Sequence, residues 1–114
     1  MISPTQRSLA LLRRQGALAA VVERWNSYAK VRQDLWRFGD ILAATKEGIV
    51  IIQACRTDDQ ARRLEKIKSD TVWPKAHQWL KAGGKIEVWG WAIRGAQGAR
   101  KRATLTITEV VEGC

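Results

Sequence analysis

Residues 39–55 read GDILAATKEGIVIIQAC, and the way this segment folds constrains the rest of the chain. It contains two apolar runs, residues 40–44 and residues 49–55, separated by a polar break that ends in Gly48. Short apolar runs with such a break between them are typical of buried strands joined by a tight turn. The segment therefore predicts a β-hairpin inside the fold.

Upstream of the hairpin, the sequence predicts a helix, a strand and a loop. Ser3 and Pro4 are typical of a helix start, and the apolar residues that follow predict a helix over residues 4–15. Residues 18–25 alternate in side-chain type, which predicts a strand. Residues 26–39 are polar and turn-like, and we interpret them as a functional loop.

Downstream of the hairpin, two helical segments are predicted. Thr57 and Gln60 have the spacing of a capping box, which predicts a helix over residues 58–69. Pro74 is typical of the first turn of a second helical piece, which Gly83 ends. Together these helices are expected to cross over the sheet.

Two further strands are predicted at the C-terminal end. Residues 85–93 and residues 103–111 alternate in side-chain type, and a glycine-bearing cationic loop, residues 94–102, joins them. The element order is therefore α-β-β-β-α-β-β, an α/β fold with a central mixed β-sheet flanked by helices. A chain of 114 residues is typical of a single domain, residues 1–114.

The chain is strongly basic. It has 20 Lys and Arg residues against 11 Asp and Glu residues, a net charge of +9 and a pI of about 10.3. Such a charge attracts polyanions, and nucleic acid is the first partner to consider. The basic residues are spread along the whole chain, which disfavours a membrane surface as the partner.

Cysteine usage and hydropathy indicate a cytoplasmic protein. Cys55 and Cys114 form neither a disulfide framework nor a zinc pattern, which fits a reducing compartment. No apolar run approaches the roughly 18 residues that span a bilayer, and the N-terminus has no signal-peptide pattern. We therefore expect no membrane association.

Acidic and amide side chains are placed to meet beside the predicted hairpin. Asp40 opens its first strand, and Gln53 is near the end of its second. Glu23 lies near the end of the preceding strand, and Asp34 lies in the loop before Asp40. Oxygen donors of this kind suit Mg²⁺ or Mn²⁺, so Glu23, Asp34, Asp40 and Gln53 are the predicted metal ligands.

The motif 39–43, GDILA, followed by 51–55, IIQAC, resembles the PD-(D/E)XK nuclease superfamily. The run 79–91, WLKAGGKIEVWGW, is similar to small phage-type Holliday junction resolvases. The resemblance covers most of the chain and implies a restriction-endonuclease-like core. In this sequence, Gln53 stands at the family's second acid and Cys55 at its lysine.

The resemblance implies a metal-dependent endonuclease that acts on branched DNA as a homodimer, with Mg²⁺ or Mn²⁺ as its cofactor. Asp40 and Gln53 match the family's catalytic positions. Glu23 is a further catalytic candidate from its place near the end of the preceding strand, and Arg62 and Lys66 on the following helix are candidates for the missing cation. Exposed apolar residues such as Trp89 or Trp91 are candidates for the dimer interface.

Basic residues outside this cluster are the predicted nucleic-acid contacts, and Trp36 is a candidate for stacking on an unpaired base. These contacts are Lys30, Arg32, Arg37, Arg94, Arg100, Lys101 and Arg102. The rival interpretation is a nucleic-acid-binding module that keeps a nuclease architecture without catalysis. A protein-binding subunit of a larger assembly is a third possibility. Asp40 also has a simpler interpretation as a turn residue, and Glu23 and Asp34 as partners in surface ion pairs.

Overall fold

A computed structural model describes residues 2–94 and 102–112. The described residues form three α-helices, α1 (Pro4–Arg14), α2 (Gln60–Ile67) and α3 (Trp73–Lys81). They form seven strands, β1 (Leu18–Val21), β2 (Arg24–Asn26), β3 (Val31–Gln33), β4 (Ile41–Thr45), β5 (Gly48–Arg56), β6 (Lys85–Arg94) and β7 (Arg102–Val110). None of these helices has the length and apolar character needed to cross a membrane.

Five strands form one mixed sheet in the order β1-β4-β5-β6-β7. The predicted hairpin is confirmed as β4 and β5, in which Ile41 lies opposite Ile52 and Thr45 lies opposite Gly48. β5 and β6 run parallel, so α2 and α3 carry the chain from one end of the sheet to the other. Within this sheet, the predicted order of helix, three strands, helical crossover and two strands is confirmed.

The sheet is covered on both faces because β5 supplies apolar side chains to each. Ile51 and Cys55 pack against α2 and α3 through residues such as Ile67 and Ala76. Val50 and Ile52 belong to the opposite cluster, which includes Leu12 of α1. A strand buried on both faces reads as a continuous apolar run, and this explains the apolar sequence of residues 49–55, which only Gln53 interrupts.

The strand predicted over residues 18–25 is wrong in its second half. β1 ends at Val21 and pairs with β4, whereas β2 pairs with β3 in a separate two-stranded sheet. We call this second sheet, residues 24–33, the ribbon. Alternation reports an extended backbone but does not report its pairing partner, so a change of partner at residues 22–23 leaves the pattern intact.

The loop predicted over residues 26–39 is also corrected, because it contains β3. Every residue of β3 is exposed, and the ribbon buries no apolar face of its own. A strand that is solvated on both sides needs no hydrophobic alternation, and its sequence then looks like a loop. After β3 the chain makes a turn over residues 34–39, closed by a bridge between Leu35 and Gly39.

The capping box predicted for Thr57 is wrong. Thr57–Asp59 form a turn of 3-10 helix with Arg56 as the N-cap, and α2 begins only at Gln60. The Gln60 amide donates to the backbone oxygens of Val88 and Thr106, at 3.0 and 2.9 Å. A side chain engaged in the sheet in this way cannot fold back to cap Thr57.

Trp89 and Trp91 do not form the exposed interface that was expected of them. Trp89 is buried and its Nε1 donates to Glu87 Oε1 at 2.9 Å. Trp91 is half-buried and its Nε1 donates to Ser8 Oγ of α1 at 2.8 Å. Trp89 and Trp91 lie on the same face of β6. That face packs against the core cluster that contains Leu12 of α1.

Candidate metal centre

Three carboxylates from separate segments meet beside the β4–β5 hairpin. Glu23, Asp34 and Asp40 each place a carboxylate oxygen within 4.8 Å of the others. The predicted convergence of these three side chains is therefore confirmed. We call them the acid cluster.

Asp40 is held in the acid cluster by the strand beside it. Its backbone N–H donates to Ile52 O at 2.9 Å, which fixes the residue at the start of β4. Its Oδ2 accepts two hydrogen bonds of 2.9 Å, from Gln53 Nε2 and from the Ala54 N–H. With the residue only 4% exposed, this carboxyl group is anchored against the end of β5.

Glu23 and Asp34 stand at the two ends of the ribbon. Glu23 immediately precedes β2 and Asp34 immediately follows β3, so the pairing of Arg24 with Gln33 brings them together. Arg32 Nη1 lies 3.6 Å from Glu23 Oε1. The pairing of β2 with β3 therefore brings together two of the three acids, which flank the ribbon at its base.

The turn between Asp34 and Asp40 has a strained backbone. Trp36 and Arg37 have φ values of 52° and 70°, in the left-handed region that non-glycine residues rarely adopt. Strain of this kind persists where the surrounding structure imposes it, and it concentrates at functional sites. Here the turn is the segment that connects two members of the acid cluster.

Replacing Arg37 with glycine should stabilise the protein by up to about 1 kcal/mol, because glycine relieves a cost of about 1–2 kcal/mol and loses part of that gain to unfolded-chain entropy. The matched control is Arg37→Ala, which removes the same charge but keeps a Cβ at the strained position. Urea unfolding measures both. A glycine variant less stable than the alanine variant by about 0.4–1 kcal/mol, the entropy cost of glycine alone, would show that the backbone conformation stores no energy there.

The environment of Asp40 favours its protonated form. Burial, the hydrogen bond and negative charge of Asp34, and the charge of Glu23 raise the pKa of Asp40 from 3.8 to about 8, against the lowering effect of the Ala54 N–H. Carboxyl groups crowded in this way repel one another when ionised. A bound cation would relieve that repulsion.

Gln53 adds a neutral oxygen to the site. The side chain is 2% exposed, and its Nε2 is committed to Asp40. Its Oε1 is buried and finds no hydrogen-bond partner within residues 2–94 and 102–112. A buried amide oxygen without a partner costs free energy, and a cation ligated by that oxygen would remove the cost.

The acid cluster lines a cavity of about 920 Å³ whose other charged residues are cationic. Lys66 of α2 reaches the cluster, with its Nζ 3.8 Å from Asp34 Oδ2. The remaining cations of the lining are Arg24, Arg32, Arg37 and Arg63. Three carboxylates are thus surrounded by five positive side chains, which suits a site for a metal and an anionic substrate together.

Sequence reasoning missed two of these five cations, Arg24 and Arg63. Arg62, predicted as electrostatic support, does not line the cavity, and its Nη2 pairs with Asp59 Oδ1 at 2.8 Å. Arg63 lines the cavity instead, and its buried Nε has no partner among the described residues. Arg63 and Lys66 are three positions apart on α2, a spacing that shares a helix face as well as the four-residue spacing does.

The predicted nucleic-acid contacts fall in different places. Arg32 and Arg37 line the cavity, and Lys30 is exposed in the ribbon turn. Arg102 is exposed at the start of β7, opposite the backbone of Arg94. Arg100 and Lys101, and the side chain of Arg94, lie outside the described residues.

Two residues considered in the sequence have clear surroundings. Cys55 is buried in the core under α2 and α3, and burial raises the pKa of its thiol, so it is a core side chain rather than a nucleophile. Trp36 is 45% exposed, lines the cavity and lies 5.9 Å from the Trp79 ring. An open aromatic face therefore borders the acid cluster.

The donors of the site fit a hard divalent cation. Carboxylate and amide oxygens are the ligands that Mg²⁺ and Mn²⁺ prefer. The carboxylate oxygens lie within 4.8 Å of one another, so small side-chain rotations would bring them to one ion. The ion can be held by the carboxylates of Glu23, Asp34 and Asp40 and by the Gln53 Oε1.

No family model, curated protein or solved structure matches this chain.

Proposed function

We propose that this protein is a divalent-metal-dependent DNA endonuclease that hydrolyses phosphodiester bonds in branched DNA. The observation that carries the proposal is the acid cluster, which lies with Gln53 in a cavity whose other charged side chains are cationic, and the Gln53 Oε1 has no partner among the described residues. A nuclease needs both parts, because the ion requires anionic ligands and the substrate requires positive charge.

Glu23, Asp34, Asp40 and Gln53 hold Mg²⁺ or Mn²⁺ in this proposal. The cation, when bound, supplies positive charge that stabilises the charge developing on the scissile phosphate. Arg63 and Lys66 bind phosphate oxygens beside it. Cys55 stands where the PD-(D/E)XK family has a lysine. Arg63 serves the electrostatic role of that lysine, because a guanidinium binds phosphate in a bidentate manner and stays charged.

The restriction-endonuclease-like core belongs to the same proposal. Asp40 opens the second strand of the main sheet, Gln53 lies near the end of the third, and α2 and α3 lead to the fourth. This order supports a distant relation to the PD-(D/E)XK nucleases. The proposed homodimer would give a four-way junction two equivalent active sites, and the molar mass in light scattering, with and without junction, tests it.

Incubation with labelled DNA tests the proposed function. The substrates are a four-way junction, a flap and a linear duplex, each with Mg²⁺, with Mn²⁺ or with EDTA. We expect cleavage of branched substrates with either metal and none with EDTA. Absence of product under every metal condition would overturn the nuclease.

A non-catalytic DNA-binding module is the second candidate, and the substitutions of the family's acid by Gln53 and of its lysine by Cys55 favour it. It predicts salt-sensitive binding to the same substrates without turnover. The cleavage assay together with a binding measurement in EDTA separates the two candidates. Binding that barely changes with salt would instead favour a protein partner.

Reversing the charges of Arg100, Lys101 and Arg102 to glutamate should weaken DNA binding and reduce its salt dependence. Each lost phosphate contact flattens the slope of log affinity against log salt by about 0.9, so three contacts account for about 2.7. The control reverses three exposed lysines outside the cavity, Lys46, Lys75 and Lys81. An equal change in the control would assign the effect to net charge rather than to this loop.

A further inference from the structure

The ribbon exposes aromatic side chains beside the acid cluster. Among the residues that the structure describes, the exposed aromatic side chains are those of Trp25, Tyr28 and Trp36, and all three lie in the ribbon or in the turn that follows it. Tyr28 is 100% exposed and Trp25 is 56% exposed. Large rings are normally buried, so their concentration on one projecting element marks a contact surface.

The charge of the ribbon selects the partner class. Residues 24–33 include Arg24, Lys30 and Arg32 and no acidic residue. Aromatic rings interleaved with cations are the combination that binds unpaired nucleic acid, since bases stack on the rings while the cations follow the phosphates. A protein partner would require no such excess of positive charge.

The turn of the ribbon is pre-formed. Asn26 Oδ1 accepts hydrogen bonds from the backbone N–H groups of Tyr28 and Ala29, at 3.0 and 3.1 Å. Lys30 completes the turn with a φ of 56°. Tyr28 is therefore presented from a defined backbone, which lowers the entropy cost of binding a ligand.

A ribbon of this kind gains little from folding alone. An isolated two-stranded hairpin is at best marginally stable, and this one buries no apolar face. Its base, in contrast, is fixed to the site, because Glu23 and Asp34 flank it and Arg24, Arg32 and Gln33 line the cavity. A ligand held by the ribbon is therefore kept within the length of the ribbon from the acid cluster.

We propose that the ribbon is a DNA-binding arm that stacks Tyr28 and Trp25 on unpaired bases next to the cleavage site. The proposal rests on the proposed function for its DNA substrate and adds the structural feature that is recognised. From Arg24 to Tyr28 the arm reaches at most about 13 Å, at about 3.3 Å per residue. The contacted base therefore lies near the scissile phosphate, within the reach of the arm and of the Tyr28 side chain.

Binding measured in EDTA tests the arm independently of hydrolysis. The probes are a linear duplex and the same duplex with three unpaired nucleotides, one of which is 2-aminopurine. Wild type should bind the second probe more tightly and quench its fluorescence. Tyr28→Ser should reduce the preference at least about fivefold, the scale of one lost base–aromatic stack, whereas Tyr28→Phe should keep it.

The outcomes separate this inference from the nuclease itself. Cleavage by wild type with equal probe preference in Tyr28→Ser and Trp25→Ser would overturn the arm and leave the nuclease standing. Preference lost in Tyr28→Ser and kept in Tyr28→Phe, without cleavage by wild type, would support the arm and overturn the nuclease. If Tyr28→Ser and Trp25→Ser changed the molar mass of the DNA-free protein and left the probe preference unaltered, the ribbon would serve self-association. That result would overturn the arm.

Discussion

Asp40→Asn should reduce cleavage of branched DNA by at least about a hundredfold while leaving DNA binding intact or slightly tighter. The variant removes one anionic ligand from the acid cluster, and the loss of one preorganised electrostatic contact costs about 10²–10³ in rate. Binding is expected to persist because the five cations of the cavity remain and one negative charge near the phosphate is gone.

The variant should also fold. Asparagine keeps an oxygen that can accept from the Gln53 amide and the Ala54 N–H, and it needs no ionisation in the buried site. Asp58→Asn is the matched control, since Asp58 is exposed and lies outside the cavity. Cleavage by Asp40→Asn at the rate of this control would exclude Asp40 as a metal ligand.

The stability of the metal-free protein should fall as pH rises from about 5 to about 8. The folded state holds a proton on Asp40 up to about pH 8, whereas the unfolded chain releases it near 3.8. Between these values the unfolded state binds fewer protons, so the free energy of unfolding falls by up to about 1.4 kcal/mol per pH unit. Above the folded-state pKa this contribution levels off.

Urea unfolding of wild type and Asp40→Asn at several pH values measures this effect. The difference between the two proteins isolates the contribution of Asp40 from that of every other titrating group. Saturating Mg²⁺ should raise the stability of wild type more at about pH 9 than at about pH 6, because the ion must displace the proton of Asp40. A pH-independent difference and equal Mg²⁺ stabilisation of the variant would contradict the shifted pKa and the metal site together.

The main sheet was predictable because the hydrophobic pattern of its strands is clear in the sequence. The β4–β5 hairpin has apolar runs long enough to be buried and a glycine at the turn, where Gly48 has a φ of 125°. The ribbon was not predictable in the same way. Its two strands pair because the turn over residues 26–31 brings them together, and this pairing does not depend on the burial of apolar side chains. The sequence of these polar strands therefore resembles that of a loop.

The candidate site was predictable in its acids and in three of its five cations, Arg32, Arg37 and Lys66. Asp40 and Gln53 lie at ends of adjacent strands, and strand geometry alone brings them together. Arg62 and Arg63 are chemically identical neighbours on α2, and only the rotation of the helix decides which one faces Lys66 and the cavity. That rotation is set by Gln60 and Ile67, whose burial fixes the helix against the sheet.

Because the ribbon lies between Glu23 and Asp34, the ordering of the ribbon and the binding of the ion are linked. An ion bridging these carboxylates joins the two ends of the hairpin, so it favours the ordered ribbon over any opened form. Thermodynamic reciprocity then requires that a ligand which orders the ribbon raise the affinity for the ion by the same factor. DNA that orders the ribbon should accordingly bind with positive cooperativity with the metal, so the affinity for the ion should be higher with DNA than without it.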